Sequence, residues 1–232
     1  MKRETLKRLV KFLLRTLTNT CFAGVEYIPP KGGMLFVTNH MSRIDIPVLF
    51  MNPVRPDIIA LITTKYQKYV LFRWFAETAG GIWLNRETAD FAAFRKAYEA
   101  LDKGTALGIA PEGTRSSTGQ LLQAKPGAVL LASKANVPIV PVALMGTESA
   151  SKGLLLMQNP HIEARFGPAF HLPEISREDR ETEMNYWTDE IMCRIAMLMP
   201  EKYHGFYRGH PRIAELRKEL QLPLEGYPTI KA

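Results

Sequence analysis

A histidine and an aspartate lie five residues apart in the polar block Asn39-His40-Met41-Ser42-Arg43-Ile44-Asp45. A histidine side chain can exchange a proton near neutral pH, and a carboxylate beside it can fix which ring nitrogen carries that proton. His40 and Asp45 therefore form a candidate general base and its orienting acid. The alternative is an ordinary structural pair, in which the two side chains only satisfy each other.

This block follows residues 34–38, an apolar and partly β-branched segment that is typical of a buried strand. Two further polar signatures also follow strand-like segments. Arg86 comes after residues 82–84, and Glu112-Gly113-Thr114-Arg115 comes after residues 106–110. Because loops at the ends of neighbouring strands can converge, we expect these side chains to share one cleft.

Strand-like and helical segments alternate along the chain. Strands are predicted at 25–28, 34–38, 58–62, 82–84, 106–110, 137–144 and 161–166, and helices at 66–79, 88–103, 126–135 and 177–199. The alternation predicts an α/β fold, a single domain with a central, mostly parallel or mixed β-sheet flanked by helices. Pro138 and Pro141 suggest that the 137–144 strand is an edge strand or starts irregularly. The aromatic residues of 66–79 are predicted to belong to the core.

An amphipathic helix is predicted at residues 2–17, before the domain. Its apolar positions share one face, and they are Leu6, Leu9, Val10, Leu13, Leu14 and Leu17. Arg8, Lys11 and Arg15 fall on the opposite side. Such a helix can lie in the plane of a membrane among anionic head groups, or it can pack on the protein's own core. It is too short and too charged to span a bilayer.

The composition narrows the classes of partner. The chain has 232 residues and a formal net charge of +7, so nucleic acid, an anionic membrane surface or a phosphorylated substrate would all be attracted. No apolar run is long enough for a transmembrane helix, and no signal peptide is visible. Cys21 and Cys193 lie far apart, which favours a reduced, cytoplasmic setting. No spacing typical of metal ligands is present, so neither a metal nor another cofactor is expected.

Four short blocks, taken together, carry a resemblance. They are Asn39-His40 with Asp45, Gly81 with Arg86, Pro111-Glu112-Gly113-Thr114-Arg115, and Val137-Pro138-Ile139-Val140-Pro141. In this order and spacing they resemble the glycerolipid acyltransferase family, and within it the bacterial 1-acylglycerol-3-phosphate acyltransferases. The resemblance covers about residues 25–170. Met41 departs from the pattern, since many relatives carry glutamine there, and this bears on substrate detail more than on catalysis.

The resemblance implies a reaction. A fatty acyl group would pass from acyl-CoA or acyl carrier protein to the sn-2 hydroxyl of 1-acylglycerol-3-phosphate (lysophosphatidic acid), giving phosphatidic acid. His40 would accept the proton of the hydroxyl, and Asp45 would hold the ring tautomer and stabilise the imidazolium. The chain lacks a G-x-S-x-G elbow and Ser42 has no base of its own, so transfer without an acyl-enzyme is expected.

The remaining motif residues are expected to bind substrate. The set comprises Asn39, Arg86, Glu112, Gly113, Thr114 and Arg115. Arg86 and Arg115 would clamp a phosphate, because a guanidinium fork matches phosphate oxygens. Glu112 would order the arginine loop or bind a substrate hydroxyl. Lys65 is a weak candidate for the oxyanion site, and a solvated lysine is the alternative.

A lipid substrate implies a position at the bilayer. We expect residues 1–20 to be an interfacial helix at the cytoplasmic face of the membrane, residues 21–200 the catalytic domain, and residues 201–232 a basic and aromatic tail. An acyltransferase of the same fold acting on another lysolipid stays open. So does a basic module that binds membrane or nucleic acid, although the chain lacks a recognition helix or stacking platform and nucleic acid is not expected as a partner.

Overall fold

A mixed β-sheet of eight strands forms the centre of the fold, in the order β4-β3-β5-β2-β6-β7-β1-β8. The computed structural model describes residues 2–86, 88, 90–176, 178–223 and 227–232. The strands are β1 (Asn19–Ala23), β2 (Met34–Thr38), β3 (Ile59–Thr63), β4 (Ile82–Leu84), β5 (Ala106–Ile109), β6 (Ile139–Met145), β7 (His161–Phe166) and β8 (Thr229–Lys231). Strands β2 to β6 run parallel to one another, and β7 runs antiparallel to β6. The predicted α/β domain with a mixed sheet is confirmed.

Helices cover both faces of this sheet. They are α1 (Arg3–Leu17), α2 (Asp45–Phe50), α3 (Val70–Thr78), α4 (Phe91–Asp102), α5 (Gly127–Ala135), α6 (Thr147–Leu155), α7 (Arg180–Ala196) and α8 (Pro211–Leu220). Successive side chains of a strand point to opposite faces. Phe36 of β2 therefore packs in the core under α1, α2, α3 and α6, whereas Leu35 and Val37 pack in the core under α4, α5, α7 and α8.

The apolar side of α1 divides into two rows. Leu6, Val10 and Leu14 are buried in the core, whereas Leu9 and Leu13 are exposed. Leu17 is also exposed, together with Phe12. The helix thus packs on the protein's own core and still presents apolar side chains outward, and contact of the exposed row with a membrane stays a prediction. In the described part of the chain, no helix combines the length and the apolar character needed to cross a membrane.

Two details of the predicted strands are wrong. Residues 25–27 form a 3₁₀ turn, and the strand of this region is β1, which pairs with β7. The β6 strand is central and fully buried, although Pro141 lies within it. The carbonyl of Pro141 accepts from the Gly167 amide, just beyond the last β6–β7 pair at Phe166. Pairing resumes only at the isolated bridge between Ile139 and Phe170, so the missing N–H of Pro141 faces the irregular stretch between that bridge and Phe166. The strand is not an edge strand, but its pairing with β7 does start irregularly, as the second alternative expected.

Residues 201–232, expected as a basic and aromatic tail, are folded onto the domain in their described part. Tyr207, Ile213 and Leu216 are buried in the core under α7. Strand β8 pairs antiparallel with β1. The physical reason is the apolar row of α8, which has to be covered and finds α7 beside it.

Candidate active site

The loops at the carboxyl ends of parallel strands converge on one cavity of about 630 Å³. Strands β2, β3, β4 and β5 are neighbours, so the segments that follow them meet at one edge of the sheet. The cavity is lined by several of the motif residues, among them His40, Asp45, Lys65, Arg86, Gly113, Thr114 and Arg115. The structure therefore brings together side chains that lie up to 75 residues apart in the sequence.

His40 and Asp45 are held in a fixed geometry. The His40 Nδ1 lies 2.7 Å from Asp45 Oδ2, and the same oxygen accepts from the amides of Met41 and Ser42 at 2.8 Å each. An ionised carboxylate can only accept, so Nδ1 carries the ring proton. On a neutral ring the other nitrogen, Nε2, then carries the free lone pair, and His40 lines the cavity. This is the tautomer that a general base requires.

A buried carboxylate supports the backbone of the histidine. Glu112 Oε1 accepts from the His40 amide at 2.9 Å, and Oε2 accepts from the Leu122 amide at 3.0 Å. The Ser116 amide donates to the His40 carbonyl at 2.8 Å. Both oxygens of Glu112 are thus engaged inside the protein, and the side chain is absent from the cavity lining. We revise its assignment from substrate binding to positioning of the loop that carries His40.

Burial raises the pKa of Glu112 to about 7, although the amides of Leu122 and His40 pull it down. The native carboxyl then binds a proton below about pH 7, whereas the unfolded chain does so only near the ordinary value of 4.5. Between these values the native state holds more protons, so this group adds stability as the pH falls and loses it as the pH rises through 7.

Replacement of Glu112 by glutamine is expected to remove this dependence. Relative to Glu112→Gln, the wild type should gain up to about 3 kcal/mol of unfolding free energy between about pH 8 and pH 5. Urea unfolding of both proteins at the two pH values measures the difference. An unchanged difference would contradict a buried, proton-binding Glu112.

Asn39 also acts inside the fold. Its Nδ2 donates to the Leu144 carbonyl at 2.9 Å, and its Oδ1 accepts from the Leu144 amide at 2.7 Å. The residue is fully buried and does not line the cavity. Asn39 therefore ties the end of β2 to β6 immediately before His40, and we revise its assignment from substrate binding to structural support.

Cationic side chains surround the open end of the cavity. Arg86 donates from Nη1 to the Gly113 carbonyl. Gly113 has a φ of +69°, a conformation that favours glycine. The guanidinium carbon of Arg115 lies 5.9 Å from the ring centroid of Tyr66, and Lys65 is exposed beside that ring. Three exposed cationic residues, Lys65, Arg86 and Arg115, therefore line the cavity.

Sequence reasoning missed two residues of this region, Tyr66 and Lys125. Tyr66 lines the cavity and carries the guanidinium of Arg115 on its ring. Lys125 lines a smaller cavity of about 230 Å³ together with Arg86 and Gly113. Tyr66 stands at three-residue intervals with Tyr69, Phe72 and Phe75, so the sequence assigned it to the core with them. Lys125 belongs to no block or periodic pattern. The signal that could have found Tyr66 is its position next to Lys65, already a candidate.

The inner part of the cavity is apolar. Its walls come from α2, β3 and α3, and include Leu49, Phe50, Ile58, Ile62 and Phe75. A wall of this kind can hold a hydrocarbon chain. Within the described residues, no group of three or more His, Cys, Asp or Glu side chains is placed to hold a metal ion.

Comparison with known proteins shows the family. The acyltransferase family model matches residues 19–145, which is more than half of the chain. The chain belongs to the acyltransferase family. This acyltransferase is 25% identical over 175 residues to the 1-acyl-sn-glycerol-3-phosphate acyltransferase of Borreliella burgdorferi, covering 74% of this chain and 70% of that protein.

Other relatives match over shorter stretches. The acyltransferase is 31% identical over 143 residues to the chloroplastic 1-acyl-sn-glycerol-3-phosphate acyltransferase BAT2 of Brassica napus, covering 59% of this chain but only 41% of the relative's length. The fold is similar to that of the 1-acyl-sn-glycerophosphate (LPA) acyltransferase PlsC from Thermotoga maritima, with a TM-score of 0.63 at 23% identity. That match covers 82% of this chain and 76% of the other.

Proposed function

We propose that this acyltransferase moves a fatty acyl group from an acyl thioester, acyl-CoA or acyl carrier protein, to the sn-2 hydroxyl of 1-acylglycerol-3-phosphate, giving phosphatidic acid. The observation that carries the proposal is that the His40–Asp45 pair lines one cavity together with the cations Arg86 and Arg115 and with apolar side chains of α2, β3 and α3. A lysolipid phosphate has one polar end and one apolar end, and the reacting hydroxyl lies between them. The names of the relatives support the same substrate.

The proposed reaction is a direct transfer. His40 Nε2 takes the hydroxyl proton while the oxygen attacks the thioester carbonyl, and Asp45 stabilises the imidazolium that forms. The tetrahedral oxyanion collapses, the C–S bond breaks, and the leaving thiolate takes the proton from Nε2. Among the described residues, the cavity lining contains no serine or cysteine, and Ser42 is buried outside it. This supports a route without an acyl-enzyme.

The two arginines would hold the phosphate of the acceptor. Arg86 is fixed by the Gly113 carbonyl, and Arg115 is supported by Tyr66, so both guanidinium groups are preorganised beside the cavity. Charge-assisted hydrogen bonds from guanidinium to phosphate are stronger than neutral ones. Lys65, on the same side of the cavity, would stabilise the oxyanion or the approaching thioester.

The substrates also suggest where the protein works. One substrate and the product are lipids, and α1 presents an exposed row of Leu9, Phe12, Leu13 and Leu17. The exposed cations of α1, Arg8, Lys11 and Arg15, lie beside that row. A helix with this composition can lie at the surface of an anionic bilayer. We therefore propose that the protein works at the cytoplasmic face of the membrane.

A matrix of donors and acceptors tests the proposal. Acyl-CoA and acyl carrier protein are each combined with lysophosphatidic acid and with lysolipids bearing other head groups. The product is identified by mass spectrometry and the released thiol is titrated. We expect phosphatidic acid and thiol in equal amounts with lysophosphatidic acid, and much slower thiol release with acceptors that lack a phosphate monoester. Equal rates with acceptors that lack a phosphate monoester would reject this substrate assignment.

The Arg115→Ala variant is expected to raise the KM for lysophosphatidic acid by about 10- to 100-fold, because a charge-assisted hydrogen bond is lost. The matched control is Arg95→Ala, which removes an exposed arginine of α4 that pairs with Glu99. With a monoacylglycerol acceptor, which has no phosphate, wild type and Arg115→Ala should react equally. An unchanged KM for lysophosphatidic acid would exclude Arg115 as a phosphate ligand.

A further inference from the structure

Large exposed apolar side chains are concentrated on one face of the sheet. In the described part of the chain, α1, α3 and the end of α6 carry most of them, and all three helices cover the same face. They are Leu9, Phe12, Leu13 and Leu17 of α1, Tyr69, Val70, Leu71 and Trp74 at the start of α3, and Leu155, Leu156 and Met157 at the end of α6. Extended apolar patches on a protein surface mark interaction sites.

The start of α3 is an unexpected part of this patch. The sequence predicted that the aromatic residues of 66–79 are core, yet Tyr69 is exposed, and only the other side of the helix, with Phe75 and Ala76, faces inward. Val70 and Leu71 are 71% and 78% exposed. The inner side of α3 lines the apolar cavity through Phe75. This helix therefore lies between that cavity and the outside.

The end of α6 forms a second apolar projection. Leu155 is 84% exposed and Met157 is 94% exposed. Met157 has a φ of +52°, in the left-handed region, so the helical backbone does not continue through it. Gly153 of α6 packs closely on Pro160, and the Pro160 carbonyl accepts from the Asn19 amide at 2.9 Å. The projection is thus joined to the segment that follows α1.

All three parts lie at the edge of the sheet that carries His40. Strand β6 is parallel to β2, so α6 begins beside the loop of His40. Strand β7 is antiparallel to β6, so it begins at this same edge. Strand β1 is parallel to β7 and therefore also begins at this edge, which places the end of α1 there. Helix α3 starts shortly after the carboxyl end of β3, at the same edge.

The charges around the patch are complementary to one kind of partner. Lys11 and Arg15 of α1, Lys68 and Arg73 around α3, and Lys152 of α6 are all exposed. Exposed cations beside large apolar side chains, with Tyr69 and Trp74 among them, suit the boundary between anionic head groups and acyl chains. A protein partner would need a surface with the same mixture over three separate elements.

We propose that the start of α3 and the end of α6 insert into the bilayer beside α1, so that three elements at one edge hold the cavity against the membrane. The inference rests on the proposed membrane-bound lysolipid substrate and extends the contact surface beyond the N-terminal helix. It gives α3 a specific role, because a lipid chain leaving the bilayer would pass this helix to reach the cavity that Phe75 lines.

Two double variants test the surface. They are Val70→Glu with Leu71→Glu, and Leu155→Glu with Met157→Glu, since none of these residues lines the cavity. The matched control is Phe91→Glu, because Phe91 of α4 is 81% exposed on the other side of the sheet. Binding of the full chain to vesicles of phosphatidylcholine and phosphatidylglycerol is measured by sedimentation. Turnover is measured with a short-chain lysophosphatidic acid dispersed without vesicles.

Each double variant is expected to bind vesicles at least about 10-fold more weakly, with turnover of the dispersed substrate unchanged, while Phe91→Glu binds like wild type. Normal vesicle binding by both double variants would overturn the proposal. If wild type is a dimer that the variants dissociate without loss of vesicle binding, the occupant is a second copy and the proposal is wrong. Vesicle binding without acyl transfer to any acceptor would reject the proposed function and leave the surface intact.

Discussion

Replacement of His40 by alanine is expected to lower the turnover of lysophosphatidic acid and acyl thioester by about 10²- to 10⁴-fold, with little change in KM. The reason is that the imidazole acts on the reacting proton, and a positioned general base contributes this much to the rate of a proton transfer. The His40 backbone is held separately, by Glu112 and by the Ser116 amide, so removal of the ring should leave the loop in place. Steady-state thiol release measures both constants.

The control for this variant is His171→Ala, because His171 is exposed and lies outside the cavity. Added imidazole offers a second readout. A small base that enters the vacated space should restore part of the turnover of His40→Ala, whereas a variant with a damaged fold would not respond. Turnover of His40→Ala within a few-fold of wild type would refute the mechanism.

Asp45→Asn is expected to lower turnover by about 10²- to 10³-fold through loss of charge. The amides of Met41 and Ser42 both donate to Asp45 Oδ2, so they should select the oxygen of an asparagine for that position. The side-chain oxygen would still accept from His40 Nδ1, and the tautomer would be kept. What is lost is the negative charge that stabilises the imidazolium.

NMR of the histidine ring distinguishes this outcome from a change of tautomer. We expect the Nδ1 proton of His40 to be observable in Asp45→Asn as in wild type, although turnover falls. Asp45→Ala is the harsher comparison, because it leaves two buried amides without an acceptor, which costs about 1–3 kcal/mol each. It should lower stability as well as turnover. If Asp45→Asn moves the proton to Nε2, the proposed selection by the backbone amides is wrong.

How far the sequence predicts this site depends on the residue. The motif spacing indicates that His40, Asp45, Arg86 and Arg115 meet, because each follows a strand whose apolar run is visible in the sequence. The same motifs do not show which of their residues line the cavity and which only support the backbone around it. Asn39 and Glu112 stand inside the motifs, yet Asn39 is bonded to the backbone of Leu144 and Glu112 to the amide of His40, which lie 105 and 72 residues away. Such partners cannot be derived from local spacing.

The fold shows the same limit. Helical periodicity predicts α1, but a single stripe of apolar residues cannot tell which row meets the core and which row stays outside. The sequence does not predict β1, because its partner strands β7 and β8 lie far away in the chain. In addition, β1 begins with Asn19 and Thr20, two polar residues that are common in loops. The position of Pro141 in a central strand depends on where β7 ends, which is a tertiary property.

The pairing of β1 has a consequence for synthesis. Asn19 pairs with His161, which leaves the ribosome 142 residues later, and the β8 partners of β1 emerge later still. During that interval α1 and β1 are outside the exit tunnel without the strands that enclose them, and Leu6, Val10 and Leu14 have no finished core to enter. An uncovered helix with two apolar rows and a basic side can bind at the surface of a bilayer. Under the membrane location proposed above, the nascent chain would therefore reach the bilayer before its catalytic edge exists.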